Sequence, residues 1–152
     1  MPGSNRGFWK VVLPLVVGGI LLVVLVLEFR PVARTGAVAY AQANLRRAAE
    51  AAEDLATEGS LADADRETLA ARGGVDDLLL IDPDQSSNDP EVVSVLAARG
   101  VWTGSARAET GECFWIRIAA RAGGQFGTVY GTGTDCSADE ASKAPPGAWQ
   151  DP

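Results

Sequence analysis

A long apolar run near the N-terminus interrupts an otherwise mixed sequence. No charged residue occurs from Val11 to Leu27, and Phe8 and Trp9 extend the run towards the N-terminus. A helix needs about 20 mostly apolar residues to cross the hydrocarbon core of a bilayer. The pattern therefore predicts a transmembrane helix over residues 8–27, with Lys10 extending its ammonium group to the headgroups.

Two other interpretations of this run are open. A buried core helix is disfavoured, because so small a domain could not surround a helix that is apolar on every face. A cleaved signal peptide has an apolar region of about 7–15 residues, followed closely by a small-residue cleavage site. Here the residues Glu28-Phe29-Arg30-Pro31 follow the run, and the small triplet Ala37-Val38-Ala39 lies far downstream. The sequence therefore predicts that the anchor is retained.

After the apolar run, apolar side chains recur at steps of three and four residues, which is the spacing of one face of an α-helix. This helix is predicted to form a stalk over residues 28–59 and to stop at Gly59. Most residues of the face are small, so that a packing partner can approach closely. The predicted packing face consists of Val38, Ala41, Leu45, Ala48, Ala52 and Leu55.

Beyond the stalk, the pattern predicts a head domain over residues 60–152. A short helix is expected from Leu61 to Arg72, and strands follow, because short runs of alternating apolar residues are separated by turn residues. The predicted strands are Asp77–Ile81, Glu91–Leu96, Val101–Ala108, Cys113–Ala119 and Gln125–Tyr130. Their short connections favour an antiparallel meander. The tail after Ser137 is predicted to be irregular, with Trp149 docked on the sheet.

The two cysteines, Cys113 and Cys136, indicate the compartment in which the C-terminal domain lies. An even pair in an exported domain is typical of a disulfide, although two free thiols in a cytoplasmic domain are the alternative. Charges on the two sides of the apolar run are nearly balanced, so the cysteines decide the orientation. They predict that residues 1–7 are cytoplasmic and that the C-terminal domain is outside.

Charge and side-chain inventory narrow the function. The chain carries a net charge of −7 and has no run of lysine or arginine, which argues against nucleic-acid binding. It contains no histidine, so Ser-His-Asp triads, Cys-His pairs and histidine-ligated zinc are excluded. No enzymatic activity, cofactor or metal is predicted.

An acidic segment and three tryptophans are weaker candidates for binding sites. The acidic segment from Asp82 to Glu91 alternates oxygen ligands as calcium loops do, but its sixth position is Ser87 and its twelfth is Val93, so a solvated loop is expected. Tryptophans 102, 115 and 149 are expected to pack in the core or on the sheet. A sugar-binding aromatic patch remains the alternative.

The ordered set of features resembles a type IV pilin. It comprises the apolar helix, Pro31 near its end, the segment Ala41–Ala49 of the stalk, the segment Val92–Val95, Trp102, the segment Thr110–Ile116, the segment Tyr130–Gly133 and Cys136. The resemblance covers residues 31–149 and implies an α/β-roll, in which the helix packs on the sheet. It also implies association with other pilin-like subunits.

The chain departs from that family at the membrane segment. Pilins are processed after a glycine and carry glutamate at the fifth mature position, and Gly7-Phe8 could imitate the cleavage junction. The fifth residue counted from Phe8 is Val12, and Lys10 also intrudes. The missing glutamate is thought to pair with the N-terminus of a neighbouring subunit, so bulk incorporation along a filament shaft is not expected.

The sequence thus predicts an α+β protein, in which an N-terminal transmembrane helix continues into an amphipathic helix packed on a small antiparallel sheet. The predicted function is that of a non-catalytic, membrane-anchored pilin-like subunit, a minor component of a type IV pilus or a related secretion system. The alternative is a single-pass tethered ectodomain that binds a partner without polymerising. The expected partners are membrane lipid, through residues 8–27, and other pilin-like subunits. The expected location is the bacterial cytoplasmic membrane, or else the pilus or cell surface.

Overall fold

The computed structural model describes Val16 and residues 35–149 of the chain. Two compact units divide the chain, Met1–Thr35 and Gly36–Pro152. Apart from Val16 and Thr35, all described residues belong to the second unit. The predicted segments 1–7 and 8–27 lie outside the described residues, except for Val16.

Helix α1 covers 35–58, and from Gly36 onward it belongs to the second unit. Its sequence is rich in alanine, the residue with the highest helix propensity. The helix ends where Gly59 N donates to Leu55 O at 3.0 Å. Alanine and leucine recur on one side, so α1 can bury a continuous face while its opposite side, which includes Ala43 and Glu50, stays exposed.

The predicted helix from Leu61 to Arg72 is divided in two. A 3₁₀ turn, Leu61–Asp63, is capped by Ser60, and helix α2 covers Arg66–Ala71. Asp65 causes the division, because its carboxylate accepts a hydrogen bond from Thr68 N at 2.8 Å and so starts a new helix. The same hydrogen bond holds the pKa of Asp65 below its ordinary value.

A five-stranded sheet follows, with its strands in the order in which they occur along the chain. Its strands are β1 Leu79–Ile81, β2 Val92–Ala98, β3 Val101–Arg107, β4 Cys113–Ala120 and β5 Phe126–Gly133. The last four strands pair antiparallel, as predicted. Strand β1 pairs parallel with β2, so the prediction of a wholly antiparallel sheet is wrong and the sheet is mixed. The connection 82–91 runs back along the sheet before β2 begins, which gives both strands the same direction.

Cross-strand register divides the sheet into two faces. Trp102 pairs with Ile118, and Ala106 pairs with Phe114, so these side chains share the face that belongs to the core cluster containing α1. Thr103 pairs with Arg117 and Ser105 with Trp115 on the other face. A six-residue helix, α3 Ala138–Lys143, covers this second face. The prediction of an irregular tail after Ser137 missed this helix.

The predicted fold class and location need a further correction. Among the residues that the structure describes, no helix is long and apolar enough to cross a membrane. This finding overturns the fold class that included a transmembrane helix, and with it the predicted single-pass location in the bacterial cytoplasmic membrane. What the structure supports is an α+β unit with a mixed five-stranded sheet and a packed helix.

Candidate interaction site

The buried face of α1 belongs to the hydrophobic core of the described residues. Ala41, Leu45, Ala48 and Ala52 are fully buried, and Val38 and Leu55 are partly buried against the same cluster. Leu45 is the one large side chain among the four fully buried residues of this face. The alanines beside it have little volume, so the helix axis can approach the sheet closely, and a larger residue at these positions would overfill the core.

Polar contacts fix one flank of α1 to the chain before β2. Asn44 Nδ2 donates to Pro90 O at 2.9 Å, and the Tyr40 hydroxyl donates to Glu91 Oε1 at 2.7 Å. The hydrogen bond to the Glu91 carboxylate raises the pKa of the Tyr40 hydroxyl. Asn44 is buried, so its hydrogen bond to the Pro90 carbonyl fixes the position of the helix as well as stabilising it.

An arginine extends this flank towards β1. Arg47 Nη1 donates to Asp77 Oδ2 at 2.9 Å, and Arg47 Nη2 donates to Gly74 O at 2.7 Å. The guanidinium, by donating to the carboxylate, holds the pKa of Asp77 below its ordinary value. The guanidinium thus ties the middle of α1 to the connection that precedes the sheet.

The other flank of α1 faces β5. Thr128 Oγ1 donates to Glu53 Oε1 at 3.3 Å, and the Arg46 guanidinium lies 5.5 Å from the centroid of the Trp149 ring. Trp149 therefore contacts the helix as well as the sheet. Both flanks of α1 are joined to the sheet by polar contacts, while its centre is joined by apolar packing.

Cys113 and Cys136 lie at disulfide distance, with their Cα atoms 5.1 Å apart, which confirms the predicted pairing of these residues. Both side chains are buried. Ser87 N donates to Cys136 O at 3.1 Å, so the pair also holds the connection before β2. Close by, the Ser86 hydroxyl donates to Asp135 and keeps the pKa of that carboxyl below its ordinary value.

Residues 134–149 form a C-terminal strap that begins on the face of the sheet opposite α1. Ala138 N donates to Ser94 Oγ at 2.9 Å, which fixes the start of α3 on β2. The Arg117 guanidinium donates to Ala144 O at 2.9 Å and also to Ala141 O, so it caps the end of α3. The same guanidinium lies 5.1 Å from the centroid of the Trp115 ring. A cation at a helix C-terminus opposes the helix dipole and binds carbonyls that have no partner within the helix.

The strap then crosses the outer edge of β5 and reaches the face that holds α1. Gly147 N donates to Tyr130 O at 2.8 Å as it crosses, and Trp149 Nε1 donates to Gly131 O at 2.8 Å. The Trp149 ring packs edge-on against Tyr130 and Phe114, with centroids 4.9 and 5.9 Å apart. The strap therefore contacts both faces of the sheet. The docking of Trp149 on the sheet agrees with the sequence prediction.

Tight glycine contacts explain why two tryptophans are inaccessible. The Trp102 indole lies over Gly104, and the Trp115 indole lies over Gly131, where any Cβ would clash with the ring. Trp102 is fully buried, and Trp115 is 1% exposed. Neither ring can serve as a sugar-stacking platform, so an aromatic patch built from the three tryptophans is ruled out.

The acidic segment before β2 is used for internal contacts. Asp82 forms an ion pair with Arg66 at 3.0 Å, and Glu91 accepts the Tyr40 hydrogen bond. Over residues 35–149 there is no group of three or more histidine, cysteine, aspartate and glutamate side chains placed to hold a metal ion. Asp82 and Glu91 of this segment thus take part in contacts within the chain.

Helix α3 and Arg117 are the site elements that sequence reasoning missed. A local signal for α3 exists, because Ser137 is followed three residues later by Glu140, and Lys143 lies in the last turn. Serine at the N-cap and a basic residue at the end are typical helix boundaries. No local signal marks Arg117 as the capping group, because its partners lie 24 and 27 residues away.

Replacing Trp149 by alanine is expected to release the end of the strap without unfolding the sheet. The variant loses two aromatic contacts and the bond to Gly131, so we expect a loss of about 2 kcal/mol, below the range for a fully buried tryptophan. Hydrogen exchange at Gly147 N should accelerate, while β3 and β4 stay protected. Trp149→Phe keeps an aromatic ring but loses the N–H donor. Its stability and its exchange rate at Gly147 N should lie between those of the natural protein and of Trp149→Ala. Unchanged protection at Gly147 would contradict the role assigned to Trp149.

Comparisons with protein-family models, with curated proteins and with solved structures give no match to this chain.

Proposed function

We propose that the chain is a non-catalytic, pilin-like subunit that acts by packing against other subunits of an assembly. The observation that carries the proposal is the lengthwise packing of α1 on the sheet, through a face of alanines around Leu45. A helix that is joined to a sheet along both flanks is a rigid unit, and rigid units suit repeated assembly because little conformational entropy is lost on association.

The two edges of the sheet are poorly suited to pairing with other chains, which favours assembly through other surfaces. An open edge strand pairs with other chains without selectivity. Here the strap covers part of the β5 edge through Gly147, and β1 at the other edge has only three residues. Association through sheet edges is therefore disfavoured, and association through helix and turn surfaces is left as the available route.

The sequence at the N-terminal end favours a minor component over the main subunit of a filament. Val12 and Lys10 stand where the resemblance implies a glutamate and an uncharged residue. A shaft subunit without that glutamate would leave a neighbour's terminal amine unpaired. We therefore propose a component present in small amounts, at an end or in the assembly apparatus.

The test is to purify filaments from the native host and measure this chain in them by quantitative mass spectrometry. The Leu45→Asp variant, expected to misfold, serves as the control for carry-over. We expect the natural chain to be enriched over that control, at a small fraction of the main subunit. Equal amounts of the natural chain and of the Leu45→Asp variant in the purified filaments would overturn the proposal. An abundance equal to that of the main subunit would contradict the minor role.

The alternative is a domain that binds a partner without polymerising. In the same experiment, this alternative predicts that the chain is absent from filaments and is recovered with one partner of fixed stoichiometry. Its supporting feature is the same departure at Val12. The two candidates thus differ in a single measurable quantity, the enrichment of the chain in filaments.

A further inference from the structure

The two hairpin turns at one end of the sheet carry arginines that have no carboxylate partner among the described residues. Arg99 lies in the β2–β3 turn and Arg121 after β4, and both are exposed. The turns are adjacent, because Ala120 N donates to Gly100 O at 2.9 Å. Neither 99–100 nor 121–125 contains an acidic residue. We call these two turns the arginine end.

The Arg121 side chain lies over a glycine. Its guanidinium and Nε lie across Gly127 of β5, where a Cβ would clash with them. A side chain at position 127 would therefore compete with Arg121 for this space, and its absence leaves the guanidinium on the surface at the arginine end.

The opposite end of the same strands is acidic on balance, with the exposed Arg107 as the basic residue at the end of β3. The connection 82–91 and the turn 108–112 contain only acidic residues among their charged groups. Asp89 and Glu109 are exposed there. The two segments meet because Arg107 N, at the end of β3, donates to Ser87 Oγ at 2.9 Å. At about 3.3 Å per residue, strands of this length place the two ends roughly 20 Å or more apart.

We propose that the arginine end of one copy docks on the acidic end, around Asp89 and Glu109, of the next copy. This inference rests on the proposed function and specifies how subunits meet. The two surfaces differ and lie at opposite ends of the strands, so the contact is head-to-tail. Such a contact closes into a small ring of copies when the rotation between neighbours allows it, which is compatible with a component present in small amounts. Complementary charges at an interface set register and speed association more than they add affinity.

Charge decides among the possible partners. The chain carries a net charge of −7, and two arginines are too few to hold a nucleic-acid backbone against that repulsion. Anionic lipid would be repelled for the same reason. A carboxylate-bearing protein surface of the kind found at the other end of this chain fits the arginine end best.

The position of the contact is tested by zero-length carbodiimide coupling in the full-length chain. The variant Arg99→Lys/Arg121→Lys keeps both charges and supplies amines that can couple to carboxylates. Mixing ¹⁴N- and ¹⁵N-labelled copies identifies bonds between molecules by mass spectrometry. We expect heavy–light cross-links from positions 99 or 121 to Asp89 or Glu109. Ala70→Lys, an exposed amine on α2, should give none. Links from positions 99 and 121 to other carboxylates alone, or no links, would overturn the inference.

The energetic role of the contact is tested by exchanging charges. Arg99→Gln/Arg121→Gln should weaken self-association about tenfold, the effect expected of two exposed ion pairs. Ala43→Glu/Ala70→Glu changes the net charge equally at other exposed positions and should have a much smaller effect. Arg99→Glu/Arg121→Glu and Asp89→Lys/Glu109→Lys should each associate poorly alone and should associate when mixed, because each end then meets its opposite charge.

Sedimentation velocity gives the readout for all of these variants. Equal association by Arg99→Gln/Arg121→Gln and its control, or no recovery on mixing, would overturn the inference. If those variants still enter purified filaments normally, the proposed function stands and only this contact is wrong. If the natural chain is not enriched in filaments, the proposed function itself fails.

Discussion

Leu45→Asp is expected to unfold the second unit or to leave it barely stable. Leu45 is fully buried at the centre of the α1 face. The substitution removes a large apolar side chain and places a carboxylate in the same space without a partner. Truncation of a buried leucine alone costs about 2–5 kcal/mol, and the unpaired carboxylate adds to that, while a typical domain is stable by only about 5–15 kcal/mol. Denaturant unfolding followed by circular dichroism measures the loss.

Ala43→Asp is the matched control, since it places the same side chain on the exposed side of the same helix. Its effect should stay within about 0.5 kcal/mol, as for other surface substitutions. Leu45→Ala provides a measurable intermediate if the aspartate variant does not fold. A melting temperature for Leu45→Asp close to that of Ala43→Asp would mean that the α1 face is not packed as described.

Removing the cysteine pair is expected to have the next largest effect. The pair closes a loop with a sequence separation of 23 residues. In the chain-entropy model, a loop of this length contributes about 3 kcal/mol. The double variant Cys113→Ala/Cys136→Ala should therefore lose about that amount in denaturant unfolding. The strap should loosen first, because residue 136 lies at its start.

A reductant provides the control for this second prediction. Natural protein unfolded and refolded with reductant should match the double variant, and the double variant itself should not respond to reductant. Mass analysis under non-reducing conditions should find both thiols absent from the natural protein. Two free thiols together with unchanged stability would show that the pair, although close, is not bonded.

Periodicity predicted the sheet well, because it reports which face of a strand is buried. The strand predicted at Cys113–Ala119 is observed at Cys113–Ala120, and the other antiparallel strands agree within a few residues. Periodicity carries no information on strand direction, which is why the parallel pairing of β1 was missed. Direction depends on the path of the connection 82–91, whose contacts with Cys136 and the end of β3 are long-range.

Helical segments were predicted less well than strands, for a physical reason. A pattern of apolar residues fits both one helix and two shorter ones, and the Asp65 cap decides between them at 61–72. Helix α3 has six residues and depends on Arg117 and Ser94 for its position. The apolar run of the N-terminal region dominated the sequence interpretation. The fold class with a transmembrane helix and the membrane location, both based on this run, are overturned.

The path of the strap has a consequence for the exposure of β5. Contacts from Gly147 and Trp149 cover part of the outer edge of this strand. Whenever the strap detaches, β5 presents an uncovered edge of eight residues, Phe126–Gly133, with which another chain can pair. A chain shortened before Trp149 should populate that state more often, and we expect it to misassociate more readily than the natural chain.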